Sequence, residues 1–252
     1  MRETVLEISG VSKRFGDTLA NDDISLTLGK GEVVALLGEN GAGKTTLMSI
    51  LFGHYVPDAG SVAVNGAVLT PGSPRAAIRA GVGMVHQHFS LAPNLTVLEN
   101  VMTGTESLFS FASDTKSARR KLADIAGRFG LAVNPDARVG DLSVGEQQRV
   151  EILKALYNDA RILVLDEPTA VLTGPEAEKL FATLKEMAAQ GLSLIFISHK
   201  LDEVMAAADR VVVLRGGRQV AERKASETSK AELAELMVGR KVERPVREPA
   251  TP

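Results

Sequence analysis

One loop constrains the fold more than any other segment of the chain. Residues 38–45 read Gly-Glu-Asn-Gly-Ala-Gly-Lys-Thr, which fills every fixed position of the pattern G-x-x-x-x-G-K-[ST]. In this pattern glycines let backbone N–H groups turn inward around a polyphosphate, Lys44 reaches the β- and γ-phosphate oxygens, and the Thr45 hydroxyl is suited to Mg²⁺. The predicted phosphate-binding residues are Gly38, Glu39, Asn40, Gly41, Ala42, Gly43, Lys44, Thr45 and Thr46.

The segments on either side of this loop support the same interpretation. Residues 32–37 form a short apolar run typical of a buried parallel strand, and residues 46–52 predict a helix that ends at Gly53. Strand, loop and helix in this order place an anion at a helix N-terminus, where unpaired N–H groups stabilise it. A glycine turn without a ligand is the alternative, and the complete motif favours a nucleoside triphosphate.

The order of predicted elements indicates an α/β fold. Short alternating segments at 5–8 and 24–28 predict an antiparallel β subdomain before the loop, and residues 94–158 are mostly helical in pattern. Two apolar runs, 162–165 and 192–197, are typical of buried parallel strands. This β–α–β order predicts a mixed or parallel core sheet covered by helices, with a helical insertion on one side. Further along the chain, Gly216 and Gly217 predict a hairpin, and Ser229 to Gly239 predict a last helix.

Composition argues against several functions. The formal net charge of −2 supplies no basic field for nucleic acid, and the chain has no cysteine for a disulfide or a thiolate metal site. No apolar run approaches the ~20 residues of a membrane span. His86 and His88 flank Gln87, but without further ligands they do not favour a metal site.

An acidic pair supplies the second half of the candidate site. Asp166 and Glu167 follow the apolar run 162–165. An Asp at a strand end can hold Mg²⁺ opposite Thr45, and the next carboxylate can orient or deprotonate an attacking water. Such a pair alone is more often a solvated strand end; the phosphate loop in the same chain favours the functional interpretation.

The segment 142–148, Leu-Ser-Val-Gly-Glu-Gln-Gln, is the next informative block. Ser143 and Glu146 have the spacing of a capping box at a helix start. Because the same chain also contains a phosphate loop, the segment predicts a second anion site as well. This site would be formed by the Ser143 hydroxyl, the Gly145 backbone and the positive end of the helix.

Together these motifs resemble the ATP-binding cassette of ABC transporters, over about residues 5–240, and the resemblance implies a P-loop NTPase fold of the ABC type. The corresponding segments are 38–45 for the Walker A motif, 162–167 for Walker B, 142–148 for the signature, Gln87 for the Q-loop, 170–173 for the D-loop, His199 for the switch histidine and Phe15 for the ring that stacks on adenine. Alone, Phe15 would more often be a core residue and His199 a polar residue at a strand end.

The resemblance implies a division of roles. Glu167, His199 and Lys44 would be catalytic, and Mg²⁺ would be held by Thr45, Asp166 and Gln87. Two cassettes would close head to tail, so that the signature residues act on ATP bound by the other cassette. These residues are Ser143, Val144, Gly145 and Glu146.

Two residues of the signature segment differ from the common pattern of the family, and they point to one group within it. Val144 and Glu146 replace a commoner glycine and glutamine, and both variants resemble the N-terminal cassette of fused double-cassette ATPases that power uptake of simple sugars and nucleosides. The implied partners are a second cassette (a fused C-terminal half or a homodimer mate), transmembrane permease subunits and a substrate-binding lipoprotein, at the cytoplasmic face of the inner membrane. Residues 237–240 fall where such proteins pass into their second cassette; a fragment of a longer protein is favoured over a single-cassette protein.

The predicted boundaries are a cassette at 1–243, with its helical subdomain at about 89–158, and a proline-rich tail at 244–252. A soluble ABC protein acting on ribosomes or DNA is the alternative function. It is disfavoured because no sustained heptad pattern separates Walker A from the signature and the terminus is short and proline-rich rather than a long basic helix. A binding module without turnover is disfavoured by Glu167 and His199.

Overall fold

The computed structural model describes residues 2–87, 89–103 and 115–239. In these ranges the strands are β1 Thr4–Phe15, β2 Thr18–Gly29, β3 Val33–Leu37, β4 Ala59–Val64, β5 Ala67–Val68, β6 Val82–Val85, β7 Ile162–Asp166, β8 Ser193–Ser198, β9 Arg210–Arg215 and β10 Arg218–Lys224. The α-helices are α1 Lys44–Phe52, α2 Pro74–Arg79, α3 Val97–Met102, α4 Thr115–Phe129, α5 Val144–Tyr157, α6 Gly174–Ala189, α7 Leu201–Ala207 and α8 Lys230–Val238.

A sheet of order β2-β1-β4-β5 forms the N-terminal part of the fold, and its pairs are antiparallel. The alternation that predicted this sheet arises because one face is buried, as at Leu6 and Ile8, while the intervening Glu7 is exposed. The prediction of an antiparallel subdomain is confirmed. Strand β1 runs to twelve residues, with register shifts that bend it around the core.

The central sheet has the order β10-β9-β3-β8-β7-β6, with only the β9–β10 hairpin antiparallel. Strand β3 is buried along its whole length, since both faces of the sheet are covered. One face packs against α1 and the antiparallel sheet through Val34 and Leu36, and the other packs against α5 to α8 through Ala35 and Leu37. Because parallel strands end at one edge, the loops after β3, β7 and β8 lie side by side.

The predicted start and stop signals of the helices are confirmed at both N-termini and C-termini. Capping boxes form at Ser143 with Glu146 and at Thr173 with Glu176, and left-handed glycines end α1 at Gly53 and α8 at Gly239. The expectation that 94–158 is mostly helical is confirmed within the described residues by α3, α4 and α5, while residues 130–143 contain only a short 3₁₀ turn, Val139–Asp141.

Some predicted features lie outside the described residues: His88, part of the helical subdomain at 104–114, the residue Arg240 and the tail at 244–252. Within the described ranges, no helix is both long enough and apolar enough to cross a bilayer.

Candidate nucleotide-binding site

A cleft of about 680 Å³ opens at the edge where β3 and β7 end. Its walls carry residues from the phosphate loop, the Q-loop position, the end of β7 and the start of β2. They are Thr18, Leu19, Ala20, Asn40, Gly41, Gly43, Lys44, Thr45, Thr46, Gln87, Asp166, Glu167 and Gly216. The structure therefore brings the phosphate loop and the acidic pair to one cleft.

The phosphate loop wraps around the ammonium group of Lys44. This side chain is buried, and its Nζ donates hydrogen bonds to the carbonyl oxygens of Gly38, at 2.7 Å, and Glu39, at 2.8 Å. Burial lowers the pKa of Lys44, against the opposite influence of Glu167 and Asp166. A phosphate oxygen would be a stronger acceptor for this ammonium than neutral carbonyls, so the loop fits a polyphosphate.

Contacts between Gly43 and residues of β2, among them Asn21, hold the phosphate loop in place at the start of α1. Gly43 has a φ of 95°, and a Cβ there would overlap the Ala20 carbonyl oxygen and the Asn21 side chain. The fully buried Asn21 donates from Nδ2 to the Gly43 carbonyl oxygen at 3.0 Å. Sequence reasoning missed Asn21, because the only local signal is a polar residue in a strand, which usually faces solvent.

Asp166 ends β7 with its side chain buried. Burial raises the pKa of its carboxyl group, as does the neighbouring Glu167, while His86, a hydrogen bond from Thr45 and the charge of Lys44 act in the opposite direction. The Thr45 hydroxyl and this carboxylate are hard oxygen donors beside a phosphate loop, which suits Mg²⁺ that completes its coordination with phosphate and water. The described residues contain no cluster of three or more His, Cys, Asp or Glu that could hold a metal unaided.

Glu167 and His199 form a pair beside the cleft. Oε1 of Glu167 lies 3.0 Å from Nδ1 of His199. The Glu167 backbone has a φ of 45°, which is uncommon for a residue with a side chain, and its N–H donates to the Ile197 carbonyl oxygen. The loops after β7 and β8 are thus joined by a backbone bond and a side-chain contact, which holds the carboxylate next to the phosphate loop.

Gln87 lies on the exposed wall of the cleft, and the chain after it is anchored to α5. The backbone N–H and the hydroxyl of Ser90 both donate to the Glu151 carboxylate, which is 95% buried. Sequence reasoning missed this clamp between Ser90 and Glu151, because its members are 61 residues apart.

Phe15 is an exposed residue at the end of β1, so the alternative that it belongs to the core is wrong. Tyr55 packs edge-on against its ring, with centroids 5.2 Å apart, and Lys13 Nζ lies 5.4 Å from the ring centroid. Phe15 is not among the cleft-lining residues. The ring is 43% exposed, which leaves part of its surface accessible.

The signature residues lie at the start of α5 and outside the cleft. Ser143 is exposed, and its hydroxyl donates to Oε2 of Glu146 at 2.7 Å. Val144 is also exposed, and Gly145 lies against Glu176 of α6. Ser143 and Val144 at the start of α5 are therefore accessible to another molecule.

A family model described as "ABC transporter" matches residues 21–170 of this chain. The chain belongs to the ABC transporter family. Membership implies that the chain binds ATP, and it confirms the resemblance seen in the motifs.

Curated relatives include the nucleoside import ATP-binding protein NupA of Lactococcus lactis subsp. cremoris, 50% identical over 95% of this chain and 47% of that protein. The ribose import ATP-binding protein RbsA 2 of Burkholderia cenocepacia is 48% identical over 96% of this chain and 48% of that protein. The guanosine import ATP-binding protein NupO of Bacillus subtilis is also 48% identical. The chain spans about half the length of the curated relatives it matches.

Solved structures confirm the cassette fold. The ADP conformation of MJ1267, an ATP-binding cassette of an ABC transporter, superposes with a TM-score of 0.83 at 28% identity, covering 94% of this chain and 99% of that one. The dimeric structure of MJ0796, a bacterial ABC transporter cassette, gives a TM-score of 0.74 at 26% identity, covering 87% of this chain and 98% of that one.

Proposed function

We propose that this chain binds ATP with Mg²⁺, hydrolyses it, and thereby powers import of a nucleoside or simple sugar through a partner permease. The observation that carries the hydrolytic part is the cleft in which the phosphate loop, Asp166 and Glu167 converge, with His199 in contact with Glu167. Importer function is supported by the printed names of the relatives.

In this mechanism the loop N–H groups and Lys44 hold the β- and γ-phosphates and neutralise charge that develops on the transferred group. Bound Mg²⁺, held by Thr45 and Asp166 with Gln87 nearby, would supply electrostatic stabilisation of the phosphate oxygens. Glu167 orients a water in line with the γ-phosphate and accepts its proton, and His199 holds this carboxylate and contacts the γ-phosphate. Phe15 stacks on adenine.

A second cassette completes the site. Ser143 and Val144 are exposed, Gly145 and Glu146 are partly exposed, and all four lie outside their own cleft, so they are suited to ATP held by a neighbour. The dimeric relative supports pairing of cassettes. ATP bridges the closed pair, and loss of the γ-phosphate removes contacts made only in that state, so hydrolysis reopens it.

The remaining partners follow from importer function. Permease subunits dock on the helical region around α3 to α5, which places the chain as a peripheral subunit at the cytoplasmic face of the inner membrane. A substrate-binding lipoprotein delivers the solute. The second cassette is a fused C-terminal half or a homodimer mate.

Reconstitution tests this proposal. The chain, within its complete protein, is assembled with candidate permease subunits in liposomes, and ATP hydrolysis is measured with guanosine, adenosine or ribose and the cognate binding protein. Stimulation by a nucleoside, abolished by Lys44→Ala, is the expected result. Hydrolysis stimulated instead by ribosomes or DNA, with no response to any solute, would overturn it.

A further inference from the structure

A carboxylate that is only 11% exposed bonds to both segments that carry Glu167 and His199. Glu203, in the first turn of α7, accepts at Oε1 from the Thr169 hydroxyl at 2.5 Å and at Oε2 from the Ser198 hydroxyl at 2.9 Å. Thr169 is two residues after Glu167, and Ser198 is the residue before His199. One carboxylate therefore spans the ends of β7 and β8.

The two residues that donate to Glu203 are shielded from solvent. Thr169 is 2% exposed and Ser198 is 3% exposed, so their hydroxyls have no alternative partner in water. Lys200 adds a second connection, because its Nζ lies 3.1 Å from Oε1 of Glu203 and donates to the Thr169 carbonyl oxygen at 3.3 Å. Its backbone N–H also donates to the Ser198 hydroxyl.

We propose that Glu203 is a positioning residue, which sets the distance between Glu167 and His199 without contacting the nucleotide. This inference rests on the proposed ATP hydrolysis, and it assigns a role to a residue that the motifs do not include. Glu203 is not among the residues that line the cleft.

The physical argument concerns what happens when the carboxylate is removed. Two buried hydroxyls then lose their acceptor, and a buried polar group without a partner is costly, so the loops shift to find new bonds. Glu167 and His199 lie within two residues of the groups released. Their 3.0 Å contact is the part of the site most sensitive to such a shift, and displacements of 1 Å in a catalytic group reduce rates strongly.

Three variants test the inference. Glu203→Ala removes both acceptor oxygens, and Glu203→Gln keeps one. The matched control is Glu232→Ala, because Glu232 also accepts from a threonine hydroxyl, that of Thr228, and also pairs with a cation, Arg223, but on α8 away from the cleft.

The first readout is steady-state ATP hydrolysis by the complete protein. For Glu203→Ala we expect kcat to fall by about 10- to 100-fold while KM for ATP stays near that of the unaltered protein, since the phosphate loop is untouched. The kcat of Glu203→Gln should lie between those of Glu203→Ala and the unaltered protein, and the kcat of Glu232→Ala should equal that of the unaltered protein. Equal kcat in Glu203→Ala and Glu232→Ala would contradict the role.

The second readout does not depend on turnover. The chain has four histidines, so the imidazole resonances of the ¹⁵N-labelled 252-residue chain are resolvable, and His199→Gln assigns one set. In Glu203→Ala the His199 resonances should move while those of His54 and His86 stay. Unmoved His199 resonances would overturn the inference. If the unaltered protein does not hydrolyse ATP, the proposed function fails, and these spectra still decide the positioning role. If Glu203→Ala does not fold, the same shift of the His199 resonances is measured in Glu203→Gln.

Discussion

Oε1 of Glu167 and Nδ1 of His199 are 3.0 Å apart, although the two residues are separated by 32 positions in the sequence. Each side chain leaves the carboxyl end of a parallel strand, β7 for the glutamate and β8 for the histidine, and these strands are neighbours. The contact is thus a product of strand order. It leaves the carboxylate with one defined orientation toward the phosphate loop.

Replacing Glu167 by glutamine should separate ATP binding from ATP cleavage. Glutamine keeps the size of the side chain but cannot accept the proton of the attacking water, so we expect hydrolysis to fall by about 10²- to 10⁴-fold. Bound ATP should persist, and in the presence of a competent partner cassette a stable closed pair should accumulate. Single-turnover hydrolysis and size-exclusion chromatography with Mg-ATP measure the two effects. The control is Glu186→Gln, an exposed residue of α6; unchanged turnover in Glu167→Gln would refute the assignment.

Asp166→Asn should stabilise the nucleotide-free protein while removing its response to Mg-ATP. Burial raises the pKa of this carboxyl group, so its ionised form disfavours the folded state, and the free energy of unfolding falls as pH rises from about 3.9 through the folded-state pKa. Asparagine does not ionise, so the free energy of unfolding of the variant does not fall with pH for this reason.

The measurement for Asp166→Asn is thermal unfolding at pH 7 with and without Mg-ATP. We expect Tm without nucleotide to equal or exceed that of the unaltered protein, and the increase on adding Mg-ATP to disappear. Asp202→Asn, on the exposed surface of α7, serves as the control. A Mg-ATP response as large as that of the unaltered protein would exclude Asp166 from the metal site.

Phe15→Ala should weaken ATP binding through loss of base stacking. Stacking of a base on an aromatic ring contributes about 1–3 kcal/mol, which corresponds to roughly 5- to 150-fold in Kd. Phe15→Tyr keeps a ring at the same place and should bind ATP normally. Titration calorimetry with ATP compares them, together with triphosphate lacking a base, whose weak affinity should not respond to either change. Equal ATP affinity in the alanine and tyrosine variants would show that adenine binds elsewhere.

The ion pair between Glu32 and Arg210 should make stability depend on pH. Burial would raise the pKa of Glu32, but hydrogen bonds from Arg210 and from the Gly29 N–H outweigh it and lower the pKa below its ordinary 4.5. A lowered folded-state pKa contributes stability above the unfolded-state value, and this contribution is lost as pH falls through the folded-state pKa.

Glu32→Gln should therefore lower the free energy of unfolding at pH 7 by about 2–3 kcal/mol. The difference from the unaltered protein should shrink as pH falls below 4.5, the ordinary Glu value. Urea unfolding at several pH values measures it. Glu3→Gln is the control, because that glutamate lies in an exposed pair with Lys30 and should change stability by less than about 1 kcal/mol. A constant difference at all pH values would contradict the explanation.

Features determined within a few residues were readable from the sequence. The capping boxes at Ser143 and Thr173 and the glycine ends of α1 and α8 depend on neighbours three or four positions away. The convergence of the phosphate loop with Asp166 was also readable, because parallel strands present their carboxyl ends at one edge.

Features that depend on distant partners were not readable. Nothing local indicates that Asn21 holds Gly43 or that Glu203 bonds to Thr169, 34 positions earlier. The pairing of β4 with β1 likewise joins segments far apart in the sequence. The backbone hydrogen bonds that join residues 135–140 to 93–98 also have no local signal in the sequence.

The Ser90–Glu151 clamp has a mechanical consequence. Its carboxylate is buried on α5, the helix whose first residues form the signature, and its donors follow Gln87 by three positions. If α5 rotated and Ser90 did not move, the buried Glu151 carboxylate would lose these hydrogen bonds. The free-energy cost of that loss is larger than the cost of moving the segment around Ser90 together with the helix. We therefore expect Ser90 and α5, the helix that begins with the signature, to move together.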